Sequence, residues 1–168
     1  WLKYLPTENL RPLKWTAAKR SLVTAADIDR LCAKALATTK NGRQLADYLR
    51  LMAFTGARRN EALRLRWADV DFERSQITIG ADGLAKNYEA RTVDFYPKLE
   101  AHLKEMFARR QPDSQFLFPS PQRGKKDAPA KTFRESLRLA RVAAGLPAFG
   151  FHDCRHFFIS FCVMSGID

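Results

Sequence analysis

Apolar residues recur every three or four positions from Ile28 to Leu65, alternate between Ile77 and Phe95, and return to helical spacing after Pro97. A period near 3.6 can be buried only by a helix, and a period of 2 only by a strand. The chain is therefore expected to be mainly α with a small antiparallel β-sheet, an α+β domain. With 168 residues it has enough length for one sizeable core and too little for two.

Local signals place the elements. Thr24 is suited to cap a helix carrying Ile28, Leu31, Cys32 and Leu36, and a second helix follows through Leu45, Tyr48, Leu49, Met52 and Ala53. Gly56 stands where a helix end favours positive φ, so Arg58 falls at the start of a third helix bearing Ala62, Leu63 and Leu65. Ile77 and Ile79, the Gly80-Ala81-Asp82-Gly83 turn, and Val93 and Phe95 form an antiparallel hairpin or sheet. Pro97 opens a helix through Leu99, Leu103 and Phe107, and Phe116-Leu117-Phe118 is a short buried extended piece. Arg123-Gly124-Lys125-Lys126 reads as an exposed basic loop. Further helices start near Thr132 and near His152, and the last is so apolar (Phe157, Phe158, Ile159, Phe161, Cys162, Val163) that burial on most sides is expected. Residues 1–20, basic and broken by Pro6 and Pro12, read as a linker, and 21–168 as one domain.

Lys and Arg total 29 against 18 Asp and Glu, a net charge of +11 and a pI near 10.0. Such a surface attracts polyanions, though charge alone leaves nucleic-acid binding and simple solubility both open. No apolar run reaches the roughly 20 residues of a membrane span, and no secretory leader opens the chain. The first residue, Trp1, suggests a piece of something longer. Cys32, Cys154 and Cys162 form no CxxC pair, so neither a disulfide framework nor a cysteine zinc site is indicated, and a reducing cytoplasm is expected.

The chemistry concentrates in two places. His152, Arg155 and His156 lie three and four positions apart, one polar stripe on an apolar helix. Arg58 and Glu61 share the start of another. Guanidinium groups hold phosphate oxygens bidentately and stay charged, whereas a lysine such as Lys86 can give up a proton. Blander readings compete: an i,i+3 ion pair for Arg58 and Glu61, a solvated loop lysine for Lys86, and a helix start capped by Asp153. Zinc held by His152 and His156 lacks a third ligand, because the one other histidine is His102, and a cation sits between the two.

Taken in order, these pieces resemble the catalytic domain of the tyrosine recombinases, the lambda-type integrase family. Thr55-Gly56-Ala57-Arg58 with Glu61-Ala62-Leu63, Leu65 and Trp67-Ala68-Asp69-Val70-Asp71 resembles the family's first arginine motif. Lys86 followed by Arg91-Thr92-Val93 is similar to its hairpin lysine motif, and His152-Asp153-Cys154-Arg155-His156 to its His-x-x-Arg box; Leu117-Phe118-Pro119 and Ala144-Gly145-Leu146 sit where similar segments recur.

The resemblance implies DNA cleavage and rejoining through a 3′-phosphotyrosine, without metal or other cofactor. Arg58 and Arg155 would clamp the scissile phosphate, Lys86 would protonate the leaving 5′ oxygen, and His152 would assist proton transfer. Glu61 and His156 would support them, and Arg59, Arg91, Lys125, Lys126 and Lys131 would contact DNA. Duplex DNA is the implied partner, with a homo-oligomer formed on it by a full-length protein of a phage or genomic island in a bacterial cytoplasm. The chain departs from the pattern at both ends. An N-terminal core-binding domain is expected before the linker, and the nucleophilic tyrosine is expected after the box. Tyr4, Tyr48, Tyr88 and Tyr96 all precede it. A recombinase-derived module that binds DNA without cutting it, and a type IB topoisomerase, remain open alternatives.

Overall fold

Thr24 begins the first helix by a reciprocal cap, its hydroxyl accepting the Asp27 N–H at 3.2 Å while the Asp27 carboxylate accepts the Thr24 N–H at 3.0 Å. The computed structural model describes residues 22–83, 90–120 and 128–166. These hold α1 (Ala25–Thr38), α2 (Gly42–Thr55), α3 (Arg59–Arg64), α4 (Pro97–Ala108), α5 (Arg134–Ala143) and α6 (Phe151–Met164), with strands β1 (Val70–Asp71), β2 (Gln76–Ile79) and β3 (Arg91–Asp94) between α3 and α4. The mainly α architecture with a small antiparallel sheet is the one the change of period requires.

Helix α2 is the axis of the core. Leu45, Ala46, Tyr48, Leu49, Leu51, Met52 and Ala53 are all buried, because α1, α4 and α6 pack around it. Tyr48 meets the rings of Phe118, Phe133 and Phe151 with centroids 5.1–5.4 Å apart, tying α2 to the chain on three sides. On α1 the buried stripe runs through Ala35, while Leu36, expected inside, is 41% exposed. Asp47 is the exception to the apolar axis: 3% exposed, it receives both Arg109 terminal nitrogens at 2.7 and 2.8 Å. That pair pins the end of α4 to α2.

The sheet runs in the order β1-β2-β3, all antiparallel. Ile77 pairs with Val93 and Ile79 with Arg91. Directly opposed residues share a face, and Ile77 and Ile79 are fully buried, so Arg91 is turned inward. Beyond α4, Phe116 to Phe118 is buried as expected, docked by the Leu117 N–H on the Leu65 carbonyl at 3.0 Å.

A second expectation fails. Helix α6 packs on α2 through its first half, where Phe151 and Cys154 are buried, but Ile159, Phe161, Val163 and Met164 are exposed, the last at 83%. Apolar residues all round a helix say that it is hydrophobic, not which side is covered. No helix among the described residues is long and apolar enough to cross a membrane. Residues 1–20, Lys86, Tyr88 and the Arg123–Lys126 stretch lie outside the described residues.

Candidate functional site

The tight turn after α2 organises the site. Gly56 ends α2 at φ +61°, its N–H bonded to the Met52 carbonyl at 2.9 Å, and the Thr55 hydroxyl accepts the Ala57 N–H at 3.3 Å. A Cβ on Gly56 would lie 2.4 Å from a ring carbon of Phe158, so the bare backbone here is also what lets α6 approach. The Arg155 guanidinium donates to the Gly56 carbonyl, bridging 99 positions of sequence. Gly56→Ala is accordingly expected to cost about 2–3 kcal/mol, combining left-handed strain with a displaced ring. A fall in the urea midpoint at unchanged slope measures it, and a midpoint equal to wild type overturns this account.

Two residues on, Arg58 caps α3. Its backbone N–H donates to Glu61 Oε2 and its guanidinium to Oε1, both at 2.9 Å. Arg91, reaching in from β3, donates to Oε2 at 2.9 Å. The Glu61 side chain is only 3% exposed, while Arg58 and Arg91 keep 40% and 34% of theirs in reach of solvent. The carboxylate is thus the floor of the site and the guanidiniums its open surface. Burial alone favours the neutral acid, yet the Arg58 backbone N–H and the two guanidiniums outweigh it and hold the Glu61 carboxyl down at about 2. This is more than the surface ion pair that spacing alone allows.

Arg155 feels the same crowd. Burial first, then the charges of Arg91 and Arg58, lower its pKa from the ordinary guanidinium value. Three guanidiniums around one carboxylate leave two net positive charges in a small volume. Cations held this close fit an anion with several oxygens.

On the same helix, His152 and His156 stand edge to face with centroids 4.4 Å apart, both exposed, so the polar stripe is real. The helix starts three residues earlier than a cap at Asp153 requires: Gly150 is the cap, and the Asp153 carboxylate accepts its N–H at 2.7 Å. His102 is occupied elsewhere, a ring nitrogen 3.1 Å from the Asp47 carbonyl. Among the described residues no group of three or more His, Cys, Asp or Glu could hold a metal.

Arg59 is partly exposed beside Arg58, its guanidinium on the Asn60 side chain at 3.3 Å and its carbonyl accepting the Tyr48 hydroxyl at 2.7 Å. Lys131 is exposed ahead of α5. Lys86, Lys125 and Lys126 fall outside the described residues. Of the tyrosines described, Tyr48 is fully buried and Tyr96 donates to the Phe54 carbonyl at 3.3 Å; burial pushes both phenols up. Sequence reasoning took Arg91 for a DNA contact and did not foresee its bond to Glu61. The inward phase of Val93 in the same strand was the available signal.

A family model described as the phage integrase family matches residues 21–168. Tyrosine recombinase XerA of Thermococcus onnurineus (strain NA1) is 28% identical over 162 residues, 96% of this chain and 55% of that protein. The chain thus spans about half the length of this curated relative. Among solved structures, the catalytic domain of bacteriophage HP1 integrase is 25% identical with a TM-score of 0.58, covering 89% of this chain and 76% of that one. The Tn1549 transposon integrase, solved in complex with circular intermediate DNA, shares the fold at a TM-score of 0.69 and 15% identity over 93% of this chain and 56% of its own. With the paired arginine turn, the sheet and the His-x-x-Arg helix on one scaffold, and a family match over nearly the whole chain, the protein belongs to the phage integrase family.

Proposed function

We propose that this chain supplies the phosphate-holding part of a site-specific DNA recombinase, which cuts and rejoins strands through a 3′-phosphotyrosine. The observation that carries this reading is the convergence of Arg58 and Arg155, far apart in sequence, on the Gly56 turn above the buried Glu61 carboxylate. Their guanidiniums grip the non-bridging oxygens of the scissile phosphate and stabilise the charge that builds as a tyrosine oxygen bonds to phosphorus and the 5′ oxygen leaves. Glu61 orients Arg58. His152, exposed one turn before Arg155, assists proton transfer at the phosphate, with His156 packed on it. Lys86 is assigned the proton delivered to the departing 5′ oxygen, because that step needs an acid whose pKa can move.

Duplex DNA is the partner, a choice supported by the +11 charge and by the DNA held in the Tn1549 integrase structure. Arg59 and the basic residues Lys125, Lys126 and Lys131 are assigned to its backbone. Residues 1–20 are read as the linker from a DNA-clamping domain, and the full-length protein as an oligomer on DNA in the cytoplasm of a bacterial host. The nucleophile is assigned to neither Tyr48 nor Tyr96, both of which are engaged in the fold.

The test is a detergent-stable protein–DNA adduct assay on nicked duplexes from the flanks of the gene, using this chain and the full-length gene product. An adduct with the full-length protein, abolished by Arg58→Ala, is the expected result. DNA binding with no adduct from either would instead favour a binding module that no longer cleaves. The chain itself is expected to bind duplex DNA weakly, with an affinity that falls steeply as salt rises, by counterion release. Affinity that is flat in salt would remove phosphate contacts as its main attachment.

A further inference from the structure

Glu61 is a difficulty as well as a support. A buried carboxylate bonded to Arg58 competes with any phosphate for the same guanidinium, and in a half-dry setting that competition is strong. The structure answers it from the sheet. Arg91 donates to Glu61 Oε2 at 2.9 Å, on the opposite oxygen from the Arg58 guanidinium. Oε2, which already accepts the Arg58 backbone N–H, thereby gains a cation of its own, and the carboxylate is shared between two guanidiniums.

We propose that Arg91 is a positioning residue of the phosphate site, neutralising Glu61 so that the Arg58 guanidinium stays turned toward an incoming phosphate. The proposal rests on reading this site as a phosphate site. Its geometry is independent of that reading: Arg91 opens β3 opposite Ile79, on the inward face, and the neighbouring inward residue Val93 packs against the core. The strand thus holds the guanidinium at α3 through backbone pairing, not through a flexible loop. Without Arg91 the net charge of the cluster drops by one, and the remaining carboxylate is left to Arg58 alone. A phosphodiester gains negative charge as it is attacked, so an Arg58 closed onto Glu61 would meet it at the moment of greatest need with least to give.

Two roles for Arg91 must be separated, acting through Glu61 or touching phosphate itself. Inorganic phosphate titrated into the chain, followed on the Arg58 Nε–H NMR resonance, reads the site without strand cleavage, so it stands or falls apart from the adduct assay. Arg91→Gln is expected to weaken phosphate binding at least about tenfold, and Arg91→Lys, which keeps the charge, by no more than about threefold. In a Glu61→Gln background, where nothing remains to neutralise, the further change Arg91→Gln should cost no more than about twofold. Binding by Arg91→Gln equal to wild type overturns the proposal, and so does an Arg91→Lys as weak as Arg91→Gln. A loss of equal size in both backgrounds overturns it too, by making Arg91 a direct phosphate ligand. Arg91→Lys retains the strand and the charge, so it serves as the readout should Glu61→Gln fail to fold.

Discussion

Arg155→Ala and Arg58→Ala are each expected to slow single-turnover strand cleavage by the full-length gene product at least a hundredfold at saturating DNA. That is the scale of losing one preorganised donor to a developing charge, about 2.7–4 kcal/mol. The two losses differ in kind. Arg58 is held by its own helix start, through Glu61, so its removal leaves the turn standing. Arg155 also donates to the Gly56 carbonyl, so its removal loosens the contact of α6 with the turn as well. Arg155→Lys should therefore recover little, because an ammonium is a compact point charge without the planar, spaced donors that reach a carbonyl and a phosphate together. Cleavage near wild type in both alanine variants would sink the assignment of the site.

The largest loss of stability is expected away from the site, at Arg109. Asp47 lies 3% exposed on α2, and Arg109 holds both of its oxygens. Arg109→Ala strands that carboxylate in the core and should cost about 3–5 kcal/mol. For a domain of this size the melting temperature should fall by roughly 6–20 °C. The companion Asp47→Asn with Arg109→Met removes both charges together and should regain most of the loss, since the cost comes from an unpaired charge more than from a missing bond. A fall below about 1 kcal/mol for Arg109→Ala would mean that water enters and solvates the freed Asp47 carboxylate.

The helices were readable because caps and spacing are local. Thr24, Gly56 and Pro97 each act within a turn of themselves, and each stands at the element end its chemistry predicts. Strand β1 was not readable: Val70–Asp71 is two residues long, too short to show alternation. The arginines and histidines of the candidate site are proposed from residue type and family resemblance, but their links are not legible in the sequence. The bonds from Arg91 to Glu61 and from Arg109 to Asp47 cross 30 and 62 positions, and no periodicity reports on which distant charge a carboxylate will meet. The exposed end of α6 was misread for the same reason, because Ile159, Phe161, Val163 and Met164 declare apolarity without declaring a neighbour.

The bond between Arg155 and the Gly56 carbonyl also sets an order in time. Its partners are separated by 99 positions, so closing that loop is among the later events available to the chain as it is made and folds. On the proposed reading of the site, Arg58 and Arg155 are brought to one turn only when α6 docks on it, so a molecule whose α6 has not yet docked lacks the pair.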